Sequence, residues 1–285
     1  MKEADRCRYG RVAVVTGASS GIGRAVAQGL AKRGFRVYAL YRRAPADAPA
    51  EEYPGGGVIL PLPCDVNDER SAADALARAA AENGGAFGIL INCAGFGIAG
   101  AVEETPDEDA RAQMETNFFG TLRMCRLALP HLRAAGQGLI INTGSVAGFV
   151  PVPFQAHYSA SKAAVDALTL ALDGEVRRLG VRCVLVQPGD TRTGFTSARV
   201  IARGAGRPDS PYHGVYERSI DYVEKCEQNG DSPTLIAASY LRILFRRSPP
   251  LRVVAGNPLY PIATLAYRLL PARVFRRVIN WIYSR

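Results

Sequence analysis

Patterns that would build a metal site or a disulfide framework are missing from this sequence. The 285 residues include three histidines and six cysteines, and no two cysteines have the Cys-x-x-Cys spacing of a zinc ligand pair. We therefore expect no metal site. We interpret the cysteines as reduced thiols, namely Cys7, Cys64, Cys93, Cys125, Cys183 and Cys226.

Long hydrophobic segments are also missing. Residues Met1–Arg6 contain no apolar segment of a signal peptide, and no uninterrupted run of about 20 apolar residues occurs in the chain. These absences argue against secretion and against a conventional membrane-spanning helix. We therefore expect a cytoplasmic protein.

Acidic residues are absent from the C-terminal end. Between Arg242 and Arg285 there are nine arginines and no Asp or Glu, whereas the first 241 residues balance 26 bases against 26 acids. The net charge of +9 therefore belongs to the tail. A basic tail suits an anionic surface, either membrane or nucleic acid, although a solvated helix face has the same composition.

Short apolar segments alternate with helical segments, an order typical of an α/β fold with a parallel sheet. The strands are continuous apolar runs, as burial on both faces of the sheet requires. We predict a single doubly wound Rossmann-type domain over residues 1–256 and a helical extension over 257–285. The predicted strands are 11–15, 35–40, 58–62, 89–92, 139–142, 181–186 and 252–255, the predicted helices are 21–33, 68–82, about 106–133 and 156–178, and 44–57 is predicted as a loop or a stub of helix.

A glycine-rich turn follows the first predicted strand. Its glycines let the backbone approach a pyrophosphate, and the helix that follows offers free N–H groups and a positive partial charge. A tight turn that binds nothing has the same pattern, so the motif alone is weak evidence. The candidate cofactor residues here are Gly17, Ser19, Ser20, Gly21, Ile22 and Gly23.

Two arginines end the second predicted strand. A site for NAD usually places an acid there, on the ribose hydroxyls, but the residues are Tyr41, Arg42 and Arg43. Because a guanidinium suits a phosphate, we predict NADP(H) rather than NAD(H), with Arg42 the better candidate. The alternative is that both arginines are ordinary solvated residues.

Tyr158 and Lys162 lie one helical turn apart and therefore share a helix face. Free tyrosine titrates near about 10, and a neighbouring cation, together with a positive oxidised nicotinamide, favours its phenolate. Tyr158 then becomes a usable acid or base, and Ser145 can donate a hydrogen bond to a substrate oxygen. In an arbitrary helix the same pair would more often be a surface pair.

With these motifs in order, the chain over roughly residues 10–200 resembles the short-chain dehydrogenase/reductase family. Asn92-Cys93-Ala94-Gly95 resembles its Asn-Asn-Ala-Gly motif, with Cys93 as a departure. The resemblance implies cofactor contacts from a further set of residues, namely Asp65, Val66, Asn92, Ala94, Gly95, Tyr158, Lys162, Pro188, Gly189, Thr191 and Thr193.

The resemblance also implies the remaining architecture and chemistry. It implies a seven-stranded sheet in the order 3-2-1-4-5-6-7 and a homo-oligomer, usually a dimer or tetramer. Tyr158 would exchange a proton with the substrate oxygen, Lys162 would lower the pKa of Tyr158 and hold the nicotinamide ribose, and Ser145 would orient the substrate. Asn117 would anchor a water in a proton relay.

The predicted substrate residues are bulky and apolar. Phe149 and Phe154 lie between Ser145 and Tyr158, and Phe195 begins a long predicted substrate loop over about 191–231. An apolar, aromatic pocket suits a lipophilic ketone or alcohol better than a sugar. The alternative is that these residues only pack the core.

The end of the chain predicts an amphipathic helix with a basic polar face. Its apolar positions are Val274, Phe275, Val278, Ile279, Trp281 and Ile282, and its polar positions are Arg273, Arg276, Arg277, Asn280 and Ser284. Peripheral membrane contact through residues 260–285, with Trp281 and Tyr283 as interfacial residues, is one interpretation. Packing on the same domain or on a partner subunit is the other, and nucleic acid is not expected.

The segment Leu270-Pro271-Ala272-Arg273 resembles tails of hydroxysteroid and lipid-active members of the family. The sequence therefore predicts an NADP(H)-dependent oxidoreductase that interconverts a secondary alcohol and a ketone on a lipophilic, hydroxysteroid-type substrate. Alternatives are a reductase of another carbonyl (acyl, retinoid or small ketone), a non-catalytic NADP-binding redox sensor, or a membrane-associated scaffold.

Overall fold

The computed structural model describes residues 7–45 and 48–283. Residues Met1–Arg6, two residues of the predicted 44–57 loop, and Ser284 and Arg285 of the predicted tail lie outside the described residues.

The strands of the described chain form one large and one small sheet. The large sheet has eight strands and the small one has two. The strands are β1 Val12–Thr16, β2 Arg36–Tyr41, β3 Glu51–Tyr53, β4 Gly57–Pro63, β5 Ile89–Asn92, β6 Ile98–Ala99, β7 Gly138–Thr143, β8 Val181–Pro188, β9 Val200–Ile201 and β10 Arg252–Ala255.

Seven strands of the large sheet are parallel and follow the order β10-β8-β7-β5-β1-β2-β4, so the predicted doubly wound α/β fold is confirmed. Val14, Leu90 and Ile140 lie in neighbouring strands and are fully buried. Their continuous apolar runs form the central layer because helices cover both faces.

An eighth strand, β3, pairs antiparallel with β4 at the edge of the sheet. The prediction of a loop or stub of helix over 44–57 was wrong for these three residues. Glu51 is held there by a two-point ion pair with Arg24, with an Nη2–Oε2 distance of 2.6 Å. Of the three glycines that suggested a loop, Gly55 and Gly56 lie in the hairpin turn and Gly57 begins β4.

Helices lie on both faces of the sheet. On one face α1 and α7 pack against the strands, and on the other face α2, α4 and α5 do so. The helices are α1 Gly21–Ala31, α2 Glu69–Ala81, α3 Asp107–Met114, α4 Gly120–Ala134, α5 Ala156–Val176, α6 His213–Gln228, α7 Pro233–Leu244, α8 Leu259–Leu269 and α9 Ala272–Tyr283.

The predicted helix over 106–133 is not regular. A π-helical turn, Glu115–Phe119, separates α3 from α4. Asn117 in this turn is buried, and its side chain bonds the Phe96 backbone in both directions, accepting from N–H and donating to C=O, each at 3.0 Å. The wider turn thus places the amide of Asn117, which the resemblance had indicated, in the interior.

The two C-terminal helices, α8 and α9, form what we call the C-terminal helix pair, residues 259–283. Phe275 is buried in a small cluster with Phe149 and Val150, and its ring lies 5.1 Å from that of Tyr267. One side of the predicted tail therefore packs on the same domain. Within the described ranges, no helix is long and apolar enough to cross a membrane.

Candidate active site

A cavity of about 370 Å³ opens where the carboxyl ends of β1, β5, β7 and β8 meet. This is the edge at which ligands bind in doubly wound sheets. Sixteen of the predicted site residues line the cavity, namely Gly17, Ser19, Ser20, Gly21, Ile22, Gly23, Ala94, Gly95, Ser145, Tyr158, Lys162, Pro188, Gly189, Thr191, Thr193 and Phe195.

The glycine turn has the shape that a dinucleotide needs. Gly17 adopts φ +63°, and a Cβ there would lie 2.8 Å from the Ala94 backbone, so only glycine allows this approach of two loops. Thr16 fixes the same approach, because its Oγ1 accepts hydrogen bonds from the backbone N–H groups of Cys93 and Ala94, each at 3.1 Å.

Helix α1 begins at Gly21, beside the cavity, with no acidic residue in its first turn. Its N-cap residue, Ser20, makes no side-chain capping bond and lines the cavity together with Ser19 and Gly21. These features fit the pyrophosphate of a nicotinamide dinucleotide.

Arg42 and Arg43 are exposed and follow β2 directly. Leu40, at the end of that strand, accepts a hydrogen bond from the N–H of Ala18 in the glycine turn at 3.3 Å, so the two arginines lie next to the turn. Neither forms an ion pair with the described residues. Asp65 and Val66 follow β4 at the same edge, and Val66 is buried against Gly120.

Tyr158 lies in α5 and lines the cavity with Ser145, which follows β7. Burial raises the pKa of Tyr158 to about 12, and a hydrogen bond with Ser145 offsets only part of this rise. The expected lowering of the pKa by a neighbouring cation is therefore not seen in the protein alone. The phenol stays protonated at neutral pH, which suits a proton donor.

Lys162 lies one turn further along α5 and is buried. Its Nζ donates to the backbone carbonyl of Thr143 at 2.9 Å and lies 5.8 Å from the centroid of the Tyr158 ring. Burial lowers the pKa of Lys162 to about 8. The ammonium is thus fixed beside the phenol, at the end of β7.

Two predicted asparagines lie behind the cavity wall. Asn117 donates to Ser161 Oγ at 3.0 Å, and a Cβ on Gly95 would lie 3.0 Å from its Oδ1 and 3.6 Å from Lys162 Nζ. Asn92 is buried and donates to Asn142 Oδ1 at 2.9 Å. Asn117 therefore holds the loop after β5 in place, whereas Asn92 connects β5 to β7.

The predicted substrate residues are separated by the fold. Phe195 lies at the cavity, where its ring centroid is 5.5 Å from that of Tyr158. Phe149 instead packs in the cluster around Phe275, and Phe154 packs against Tyr216 of α6, with ring centroids 5.5 Å apart. Their placement gives no support to a role as substrate contacts.

One wall of the cavity, opposite the glycine turn, was predicted only in part and not residue by residue, as a substrate loop over about 191–231 in which the structure places helix α6. It is formed by Asp190 after β8, by residues of α6 and by two tyrosines of the C-terminal helix pair. Tyr283, interpreted from the sequence as interfacial, lines the cavity, whereas Trp281 is 55% exposed. The missed residues are Asp190, Tyr222, Val223, Cys226, Glu227 and Tyr260.

Tyr260 joins the C-terminal helix pair to the catalytic edge. Its hydroxyl accepts from the N–H of Asp190 and donates to Asp190 Oδ2, both at 2.9 Å. A Cβ on Gly189 would lie 2.1 Å from the Tyr260 ring, so this packing requires glycine. The Pro-Gly pair, which the resemblance indicated as a cofactor turn, therefore also packs against α8.

Residues 11–203 match the family model of the short chain dehydrogenases. The chain belongs to this family and is an oxidoreductase. A 3-ketodihydrosphingosine reductase of Bacteroides thetaiotaomicron is 36% identical over 274 residues, which cover 96% of this chain and 98% of that protein.

Two solved structures are similar to this chain in fold. A short chain dehydrogenase of Burkholderia cenocepacia in complex with NADP has a TM-score of 0.69 and 27% identity, and covers 95% of this chain and 98% of its own. A short chain dehydrogenase/reductase of Burkholderia phymatum in complex with NAD has a TM-score of 0.73 and 27% identity, and covers 91% and 92%. Both cofactors occur among the neighbours, so the family does not decide between them.

Proposed function

We propose that this protein is an NADPH-dependent reductase of a long-chain ketone of the ketodihydrosphingosine type. The observation that carries the proposal is that Tyr158, Ser145 and Lys162 line the same cavity as a set of apolar and aromatic side chains. NADPH, when bound, supplies the hydride for the carbonyl carbon. The residues of this chain supply binding, orientation and the proton.

The proton comes from Tyr158. Because its pKa is raised to about 12, the hydroxyl is protonated at neutral pH and can donate to the oxygen of the reduced carbonyl. Ser145 lies beside it and donates a hydrogen bond to the same oxygen as negative charge develops there. Lys162, fixed by Thr143, keeps a positive charge near the phenol and would hold the ribose of the cofactor.

Arg42 and Arg43 support the preference for NADPH. They are exposed at the end of β2, next to the glycine turn, and no acid occupies that strand end. A planar guanidinium binds the extra phosphate of NADPH through paired hydrogen bonds. We propose Arg42 as the main contact because it comes first after the strand.

The substrate proposal rests on the wall that faces Tyr158. Val150, Val152, Phe195, Tyr222 and Tyr283 line it, which suits an alkyl chain. A protein that matches nearly this whole chain is a 3-ketodihydrosphingosine reductase. This relation favours a long-chain ketone over the hydroxysteroid that the sequence suggested.

A substrate panel tests this function. NADPH absorbance is followed with a long-chain 3-keto base, steroid ketones, retinal and acyl ketones, and we expect the long-chain base to have the highest kcat/KM. A higher kcat/KM for a steroid or retinoid would overturn the substrate proposal. Tight NADPH binding without turnover of any ketone would instead support the redox-sensor alternative.

We also propose that the C-terminal helix pair contacts an anionic membrane surface, and that the protein is a homo-oligomer, as is common in the family. Of 19 large apolar side chains exposed in the described residues, nine lie in this pair, namely Leu259, Ile262, Leu265, Tyr267, Leu269, Leu270, Val274, Val278 and Trp281. The spacing of Ile262, Leu265 and Leu269 puts them on one helix face.

Basic side chains accompany this apolar surface. Arg273, Arg276 and Arg277 of α9 are exposed, and no acid occurs between Arg242 and Arg285. Apolar burial and attraction to anionic lipids add in such interfacial helices. A long-chain lipid substrate would then reach the cavity from the membrane surface.

Vesicle flotation tests the membrane proposal. We expect binding to vesicles with anionic lipid, weaker binding to neutral ones, and loss of binding when Val274, Val278 and Trp281 are replaced by Ser. The matched control replaces three residues exposed elsewhere, Val102, Leu179 and Leu235, by Ser. Equal loss in both triple variants would exclude a specific role for the helix pair.

A further inference from the structure

Two carboxyl groups, those of Asp190 and Glu227, line the wall opposite the glycine turn. The catalytic steps described above use neither. Both lie in the cavity that contains Tyr158, and the negative charge of each raises the pKa of Tyr158, in addition to the larger effect of burial. Their charges therefore reach the place where the carbonyl is reduced.

Glu227 has a cationic partner of its own. Both of its carboxylate oxygens accept hydrogen bonds from Nη2 of Arg199, at 2.5 and 2.6 Å, and Thr196 donates to Oε2 at 2.6 Å. The Arg199 side chain is only 1% exposed. This carboxylate is paired with a buried guanidinium and accepts three hydrogen bonds, so we assign it to stabilising the wall rather than to binding a ligand.

Asp190 has no such partner. Its Oδ2 accepts a hydrogen bond from Tyr260, which is neutral, and it forms no ion pair with the described residues. Asp231, close by, is also acidic and bonds the backbone N–H of Asn257. Burial raises the pKa of Asp190, which shows the cost of a charge without a counter-ion at this position.

The position of Asp190 fits a role in recognising substrate. It directly follows Pro188 and Gly189, the turn that the resemblance assigns to the nicotinamide, and it lines the cavity together with Tyr158. Because Asp190 lines the same cavity as Tyr158 and its charge acts on the phenol, a molecule whose carbonyl meets Tyr158 can present a second group to Asp190. A cation there would relieve the desolvation cost of the carboxylate and gain a charge-assisted hydrogen bond.

We propose that Asp190 is a specificity-determining residue that binds an ammonium group carried by the substrate next to the ketone. The proposal rests on the proposed reduction of a long-chain ketone and deepens it: the preferred substrate is an α-amino ketone with an alkyl chain. The apolar remainder of the wall contacts the chain, and Asp190 distinguishes a cationic base from a neutral lipid of the same length.

The test compares two ketones of equal chain length at pH 7, a long-chain 2-amino-3-ketone and its analogue without the amine. The result is the ratio of their kcat/KM values with NADPH. We expect Asp190→Asn to lower this ratio by about 10- to 100-fold, the size of a lost hydrogen bond to a charged group. Asparagine can still accept the Tyr260 hydrogen bond, so a merely structural change would lower both values equally and leave the ratio unchanged.

Tyr260→Phe is the matched control. It removes the hydrogen bond to Asp190 and retains the charge, so we expect the ratio to stay near that of the wild type. An Asp190→Asn ratio equal to the wild-type ratio would overturn the role of Asp190 and leave the proposed function standing. Failure of the wild type to reduce either ketone would overturn the proposed function itself.

A second measurement does not need a variant. Long-chain primary amines and alcohols of the same length are compared as inhibitors of the wild-type protein at pH 7. We expect the amine to bind at least about 10-fold more tightly. Equal inhibition by the amine and the alcohol would overturn the proposal even if Asp190→Asn did not fold.

Discussion

The two walls of the catalytic cavity are built in different ways. The wall at the sheet edge rests on fully buried strands, such as those with Val14 and Leu90. The opposite wall includes the C-terminal helix pair, in whose described side chains Phe275 alone is buried. The cofactor and proton chemistry that we propose would therefore lie on the densely packed part, and the proposed substrate contacts would lie partly on a part with few buried side chains.

The difference in packing between the two walls corresponds to two requirements of the proposed reaction, proton transfer and substrate entry. Proton transfer needs groups held within hydrogen-bonding reach, which packed strands and α5 provide. Entry of a large apolar substrate needs a wall that can open at modest cost, which a weakly packed helix pair provides. The charge distribution follows the same division, because the first 241 residues are balanced and the tail carries the excess of +9.

The largest effect that distinguishes the two walls is expected at Tyr158. Tyr158→Phe removes the proton donor, so we expect kcat to fall about 10²- to 10⁴-fold, the usual contribution of a general acid. NADPH affinity should change little because the ring remains. Steady-state kinetics and fluorescence titration of NADPH measure both, and near wild-type turnover would refute the mechanism.

The next comparison concerns stability. Leu90→Ala in β5 is expected to lower the free energy of unfolding by about 2–5 kcal/mol, because it opens a cavity in the sheet core. Phe275→Ala should instead release the C-terminal helix pair locally, with faster hydrogen exchange in α9 and little change in the global transition. Denaturant unfolding and exchange measure these effects. If both variants lower the global stability equally, the two walls form one cooperative unit.

A smaller effect is expected at the cofactor end of the sheet edge. Arg42→Ala should weaken NADPH binding about 10- to 100-fold, the size of a lost charge-assisted hydrogen bond, and leave NADH binding nearly unchanged. Arg33→Ala, at an exposed arginine beyond the far end of α1, serves as the control. An equal loss for both cofactors would exclude the phosphate contact.

The smallest effect is a pH dependence. Burial lowers the pKa of Lys162 to about 8, so the ammonium is present below that pH and is lost above it, while Tyr158 stays protonated up to about 12. We therefore expect kcat/KM for NADPH, which reports the free enzyme, to fall about tenfold between pH 7 and 9. The Lys162→Arg variant should show no such fall, because arginine keeps its charge. A wild-type kcat/KM that stays constant up to pH 10 would contradict the role of the Lys162 charge.

Local patterns predicted much of the rigid wall. The alternation of strands and helices, the glycine turn and the spacing of Ser145, Tyr158 and Lys162 could be predicted because each depends on short-range periodicity or on the ends of parallel strands meeting at one edge. The strand order was implied by the family resemblance, and the structure confirms it. The strand Glu51–Tyr53 was missed because an ion pair with Arg24, distant in sequence, helps to hold it.

Other features arise from contacts between distant segments. Asp190 and Tyr260 are 70 residues apart, and no periodicity of the sequence predicts the hydrogen bonds between them. Phe149 and Phe154 lie between Ser145 and Tyr158 in the sequence, yet they pack against α9 and α6, respectively. Whether an apolar side chain lines a cavity or contacts a helix depends on which helix packs next to it, and the local sequence does not specify this.

By itself the sequence determined the doubly wound sheet and the candidate residues for a dinucleotide cradle and for proton transfer, since periodicity and short motifs specify these. Only the tertiary structure decided which side of the basic tail faces the protein and which faces outward. It placed Tyr260 and Tyr283 in the cavity and left Trp281 outside, because burial depends on the partners that a helix meets, and those partners lie far away along the chain.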